Sequence, residues 1–279
     1  MSGETSTPTP SAYALGHADV EMQRLLLQAH LYDHDTEHAL RRAGLRPGMR
    51  VLDVGCGPGD VSFVAARLVG ATGTVLGIDA AKEVIGMARA RAGERGLSNV
   101  SFEQATADEV AVDDPVDAVV GRLILMHMPQ PVATLRRLAG LLRPGGLIAF
   151  CEPDLSAVRS APDTPRFRAV ANGIVSAFRA LGLDPEFGNT LHSLFLCAGL
   201  PPPHLALAAP MGGVNDTEIF AYAMEVWRLM LPVAEELELV TDDIADIDNL
   251  LPRWQEEAAA VGAVITMPPM ITAWSRLPS

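Results

Sequence analysis

The sequence predicts an α/β fold: a doubly wound, mostly parallel sheet of seven strands with helical cap insertions. Three observations predict it. Short β-branched runs alternate with helix-length stretches from residue 49 onward, the rhythm of a parallel sheet covered on both faces. A glycine-rich turn follows directly after the first of those runs. The 279 residues, 49% of them hydrophobic, suffice for a large core without disulfide or metal staples.

The elements follow in order. Residues 1–12 have neither the charged nor the apolar region of a signal peptide and read as a disordered leader. Residues 13–44 read as a helical lid, with Met22, Leu25, Leu26 and Ala29 at helical spacing and Gly44 as its stop. On that helix Asp33, Asp35 and Glu37 mark a wet face. MRVLDVG, TVLGID, VSFEQA, DAVVGRL and LIAFCEP then read as five strands of a core over residues 45–155. Between them lie the helical stretches VSFVAARLVG, AAKEVIGMARARAGERG and PVATLRRLAGLL, the last closed by Arg143-Pro144-Gly145-Gly146. Over residues 156–279 the rhythm changes. One or two helices fall within 164–198, HLALAAPMGG reads as a strand, and VITMPPMITAWSR closes the sheet. A helical insertion over about 214–262 forms the cap.

Charge narrows the function. With 21 basic and 34 acidic side chains the net charge is -13, and Lys82 is the one lysine. Affinity for nucleic acid comes mainly from Lys and Arg, so neither nucleic acid nor a membrane surface is an expected partner. No apolar run approaches the ~20 residues of a membrane span. Cys56, Cys151 and Cys197 are odd in number and form no CxxC pair, which suggests a reducing cytoplasm. The acidity is lopsided. Residues 1–150 carry 17 acids and 14 bases, whereas residues 151–279 carry 17 acids and 7 bases. From Glu235 to Glu257 nine acids face only Arg253, most simply as the solvated outer face of the cap helices.

The glycine turn points to a ligand. Gly55-Cys56-Gly57-Pro58-Gly59 lets the backbone bend sharply and approach a bound molecule closely. A dinucleotide fingerprint requires a small residue where this chain has Asp60, and no P-loop Lys follows. A carboxylate at a helix start repels phosphate, so the ligand carries none there. Asp79, ending the second strand, suits ribose hydroxyls. A nucleoside without phosphate, bearing a polar tail and a cationic centre, describes S-adenosylmethionine (SAM).

Four blocks then resemble the class I, Rossmann-like SAM-dependent methyltransferases: VLDVGCGPG, GIDAA, QATADEV and LLRPGGLIAF, over roughly residues 45–155. The resemblance implies that Asp53, Gly55, Cys56, Gly57 and Gly59 line the methionine end, and that Asp79 and Ala80 hold the ribose. Thr106 stands where the family often has an acid, so the adenine amino group falls to Thr106 and the amide of Ala107, or to Asp108. Arg122 and Leu123 lie near the methionine carboxylate, with Arg24 and Gln28 reaching it from the lid. Tyr13, in Tyr-x-Leu-Gly, resembles the lid segment of natural-product methyltransferases. The product cofactor is S-adenosylhomocysteine.

Methyl transfer from a sulfonium is an in-line displacement, so alignment and exclusion of water dominate, and a base helps only when the acceptor loses a proton. His127 is a candidate base or a surface histidine; Glu152 is a second candidate base or a solvated loop acid; Tyr13 is a third. Met126, Tyr222 and Trp227 are candidate acceptor contacts, in a cap whose Phe220, Met224, Met230 and Met270 read either as core or as an adaptable apolar pocket. His30, His34 and His38 recur every four residues, but without partners they read as a solvated helix face, and no metal is expected. A large cap favours an enclosed small-molecule acceptor, apolar or aromatic, over a protein or nucleic acid. Some similar enzymes methylate carbon on indole-type rings. The rival readings are a SAM-fold enzyme catalysing a cyclisation and a non-catalytic SAM-binding protein. A homo-oligomer is compatible with the sequence.

Overall fold

A computed structural model describes residues 18–279, with side chains from residue 23 onward. Helix α1 (Ala18–Ala43) is followed by β1 (Arg50–Val54), α2 (Asp60–Val69), β2 (Thr74–Asp79), α3 (Lys82–Glu94), β3 (Val100–Gln104) and β4 (Val116–Arg122). Then come α4 (Pro131–Ala139), β5 (Leu142–Pro153), β6 (Arg159–Ala161), α5 (Pro165–Ala180) and α6 (Leu191–Cys197). The chain ends with β7 (His204–Ala208), β8 (Met211–Gly212), α7 (Thr217–Glu236), α8 (Asp242–Ala245), α9 (Ile247–Val261), β9 (Val264–Thr266) and β10 (Met270–Arg276).

Seven strands form the main sheet in the order β3-β2-β1-β4-β5-β10-β7. Strands β1 to β5 pair in parallel, and β10 runs antiparallel to both β5 and β7. The order reverses beside β1, between β1 and β4, and such a switch point opens a crevice at the C-terminal ends of the strands. Central strands are buried on both faces, with Leu52, Val119 and Ile148 wholly enclosed, as their unbroken apolar runs require.

Four departures from the sequence reading have physical causes. The helix expected through Leu142 stops at Ala139, because Val116 donates its N–H to the Leu141 carbonyl and draws the next residues into β5. HLALAAPMGG divides between two sheets, β7 on the main sheet and β8 on a small antiparallel one of order β6-β9-β8. VITMPPMITAWSR divides likewise, at Met267-Pro268-Pro269, since prolines carry no N–H for a ladder. On α1 the buried seam runs through Gln28, Ala29, Tyr32, Thr36 and Ala39, which leaves Leu26 exposed.

The cap has its own core. Trp227, Trp254, Phe220 and Phe167 enclose it, and Tyr32 of α1 joins them. Phe220 meets Trp254 edge-on at 5.3 Å, a favoured aromatic geometry. Among the described residues no helix is long and apolar enough to cross a membrane. All three cysteines are free.

Candidate active site

Glycine permits the turn after β1. Gly55 and Gly57 have φ of 65° and 54°, in the left-handed region that side chains resist. A Cβ at Gly55 would lie 2.4 Å from Ile124 Cγ1, so the turn packs tightly against the segment after β4. A Cβ at Gly57 would meet nothing within 4 Å, because this glycine borders open space. Asp79 fixes the turn from β2. One of its oxygens accepts the Gly57 N–H at 3.1 Å and the other the Ala81 N–H at 2.9 Å. Each carboxylate oxygen keeps capacity for another donor.

The N-terminus of α2 already holds an anion. Asp60 opens the helix and pairs with Arg91 at 2.6 Å, while Arg91 also donates to the Pro58 carbonyl. A phosphate at this position would face a fixed carboxylate.

A cavity of about 650 Å³ begins at this turn and runs under α1 into the cap. Gly55, Cys56, Gly57 and Asp79 line its near end, together with Arg122, Leu123, Met126 and His127. Leu123 has φ of 58°, a strained value for a branched side chain and one often found at functional sites. From α1, Gln28 accepts a hydrogen bond from Tyr222 Oη at 3.2 Å and from Arg24 Nη1 at 3.0 Å. Tyr32 packs edge-on against Tyr222 and donates to the Pro268 carbonyl. These bonds tie α1 to the cap across the cavity.

Among the described residues, charged wall groups sit only at the near end: Arg24, Asp60, Asp79, Glu83 and Arg122, with His127 beside them. Helix α5 contributes Phe167, Ile174 and Phe178, and the cap Val226, Leu229 and Met230, among other apolar groups and no charge. Burial, then Arg24, holds the His127 imidazole below the ordinary histidine range, which keeps it neutral and able to accept a proton.

Several expected residues lie elsewhere. Asp53 is buried behind the turn, where Ser62 donates to Oδ2 at 2.6 Å and Oδ1 has no partner. Burial pushes its pKa up to about 7. Ala80 is exposed, and Ala81 takes its place on the wall. Gly59 packs on Phe63 and Phe102, away from the wall. Thr106 donates to Glu109 at 2.8 Å and Ala107 is buried in the sheet core, so neither borders the cavity. The wall beside Asp79 comes instead from Val84 and Met87 of α3, residues that helical spacing alone marks only as apolar.

Trp227 is wholly buried against Gly173, with Nε1 donating to the Ile244 carbonyl, and it does not face the cavity; Trp254 does. Glu152 is wholly buried and off the wall, with Oε1 accepting the N–H groups of Ile124 and Leu125. Asp33, expected on the wet face, pairs with Arg122 at 3.0 Å, and Thr36 accepts from the same nitrogen. Of the three lid histidines, His34 is exposed and His30 meets Glu218. No group of metal-ligating side chains occurs among the described residues. Tyr13 lies outside them.

The residues present fit SAM. The open space at Gly57 admits a close approach, Asp79 offers oxygens at the strand end, and the Asp60 carboxylate disfavours a phosphate. Residues 45–176 match a family described as Methyltransferase domain. This stretch is a SAM-dependent methyltransferase domain.

Two curated relatives share it. Aklanonic acid methyltransferase DauC of Streptomyces sp. (strain C5) is 43% identical over 107 residues, 38% of this chain and 49% of its own. Nocamycin O-methyltransferase of Saccharothrix syringae is 42% identical over 109 residues, 39% of each chain. The chain thus spans about half the length of these relatives or less. A solved SAM-dependent methyltransferase from Aquifex aeolicus, 20% identical, covers 73% of this chain and 92% of its own with a TM-score of 0.51, a likeness of fold. The methyltransferase domain ends inside α5, so the cap that encloses the cavity lies largely beyond the matched stretch.

Proposed function

We propose that this chain transfers the methyl group of SAM to a small, uncharged acceptor with an apolar or aromatic body, of the natural-product type. One observation carries the reading: a single cavity joins the Gly57–Asp79 turn to a cap wall without charges. Bound SAM supplies an electrophilic methyl on sulfonium. The chain's own residues bind, orient and exclude water. Gly55, Cys56, Gly57 and Asp79 hold the nucleoside and methionine portions, with Gln28, Arg122 and Leu123 at the methionine end. Residues 13–44 act as the lid, 45–155 as the cofactor core and about 214–262 as the acceptor cap. Met126 and Tyr222 contact the acceptor beside the methyl.

His127 accepts the acceptor's proton as the new bond forms, directly or through one water. Its lowered pKa keeps it neutral at pH 7 for that task. An indole-type ring methylated at carbon is one acceptor of this class, with its N–H proton going to His127. One of the two curated relatives is named an O-methyltransferase, which supports a hydroxyl oxygen as the alternative atom. The direct test is incubation with methyl-labelled SAM and a panel of phenols, neutral polyketide-type alcohols and indoles. Label in a neutral, apolar product supports the reading. A converted but unlabelled product would point to a cyclase, and binding of SAM with no conversion of any compound to a binding protein.

A further inference from the structure

We infer that Glu152 is a positioning residue: its buried carboxylate clamps the backbone turn that carries His127 and aligns acceptor with methyl. The turn after β4 presents Leu123, Ile124, Met126 and His127 to the cavity. Three consecutive amides of that turn converge on the end of β5. Leu123 N–H goes to the Cys151 carbonyl at 2.9 Å, and those of Ile124 and Leu125 go to Glu152 Oε1 at 3.0 and 2.8 Å. Convergence of this kind needs a left-handed residue, and Leu123 supplies it at φ of 58°. A branched residue adopts that conformation only when its surroundings hold it there. The Glu152 carboxyl beneath the next two amides does so, and its grip tightens once it ionises above about pH 7, because hydrogen bonds to an ionised acceptor are roughly twice as strong as neutral ones.

The side chain has no other visible task. Glu152 is wholly buried, lies off the cavity wall, and its Oε2 has no partner, so it neither touches an acceptor nor continues a proton relay. The turn in turn packs Ile124 against Gly55 and Gly121. A slack turn therefore moves His127 and the acceptor wall together. Beyond it, the amides of His127 and Met128 bond within the turn itself, to Ile124 and Leu125 carbonyls. The amides of Ile124 and Leu125 bond the carboxylate directly, and that of Met126 also faces it.

The kinetic arm of the test rests on the methyl-transfer reading; the exchange arm does not. Glu152→Ala should speed hydrogen exchange at the amides of Ile124 and Leu125 by about tenfold or more while Leu52 in β1 stays protected. Glu152→Gln keeps the volume but offers a weaker acceptor than the ionised carboxylate, so above about pH 8 exchange there should rise about threefold. With an acceptor in hand, KM for it should rise about tenfold in Glu152→Ala and less in Glu152→Gln, with SAM affinity within about threefold. Unchanged exchange at these two amides in Glu152→Gln overturns the proposal, whether or not the alanine variant folds. So does a fall in kcat that is equal in both variants with KM unchanged, the mark of a base. Absence of turnover in the unaltered protein would sink the methyl-transfer reading and leave the exchange result standing.

Discussion

Two glycines two residues apart should fail in opposite ways when given a methyl group. Gly55→Ala forces a left-handed φ of 65° on a residue with a Cβ, at a cost of about 1–2 kcal/mol. The new Cβ also falls 2.4 Å from Ile124 Cγ1 and 2.5 Å from Cδ1, so Ile124 must move. Overpacking of that kind adds about 1–3 kcal/mol. Together they total about 2–5 kcal/mol, or roughly 5–15 °C in Tm for a chain of this size. Gly57→Ala bears the left-handed cost but no clash, and should lose only about 2–6 °C. Its methyl projects into the space where the cofactor's methionine end would lie, and should weaken SAM at least about tenfold, equivalent to about 1.4 kcal/mol. Thermal melts and titration calorimetry with S-adenosylhomocysteine read both effects. If Gly57→Ala binds within threefold of the unaltered protein, the cofactor does not approach this turn. If the two variants melt alike, the packing of Ile124 on Gly55 is not what the distances imply.

Three further outcomes follow from other parts of the fold. Burial holds the pKa of Glu152 and of Asp53 up at about 7, above their unfolded values, so both favour the folded state when protonated. That stability is full below about pH 4 and is lost as pH rises through 7, by at most roughly 3 kcal/mol for Glu152 and roughly 4 for Asp53. The net charge of -13 also favours lower pH, so the variants decide: Glu152→Gln and Asp53→Asn should each flatten the fall of Tm between pH 5 and 8, and an unchanged slope would contradict the burial argument. His127→Ala should lower kcat about 10²-fold or more with SAM affinity within twofold, and unchanged turnover would remove it from the mechanism. Trp227→Ala should destabilise by about 3–5 kcal/mol; altered acceptor KM with full stability would put this ring back on the cavity wall.

The glycine turn at the near end of the cavity was legible because its determinants are local, whereas Asp53, Ala80, Thr106 and Ala107, expected beside it, lie off the wall. A strand, a glycine turn, an acid at the next strand end and a carboxylate opening α2 are all written within residues 50–79, and Asp79 ties the turn from inside that span. The cap end of the cavity was not legible in that way. On α7 the residues Tyr222, Val226, Leu229 and Met230 line the cavity, while Phe220, Met224, Trp227 and Ala234 are buried in the cap core. Both sets obey helical spacing and both are apolar. Periodicity separates water from interior, but it does not separate two kinds of interior. Asp33 and Glu152 were misjudged for the complementary reason. Each looked like a solvated acid in its local sequence, and each is drawn inward by a partner far along the chain, Arg122 for one and the amides after β4 for the other.

The lopsided acidity now bears on the acceptor as well as on partners. Of the nine acids between Glu235 and Glu257, none lines the cavity; Glu235, Glu236, Glu238, Asp242 and Asp243 are exposed, and Glu257 turns to Arg166. The cap therefore presents a negative exterior around an uncharged interior. An anionic acceptor would be repelled on approach and would find no counter-charge once its body entered the cap, where burying a lone charge costs far more than burying a paired one. A cationic acceptor would be drawn to the outside and meet the same unfavourable interior. A neutral apolar molecule crosses this field without penalty, and its one polar atom can stay at the near end with His127. On the proposed reading the charge pattern would select by exclusion, and would do so with residues that never touch the ligand.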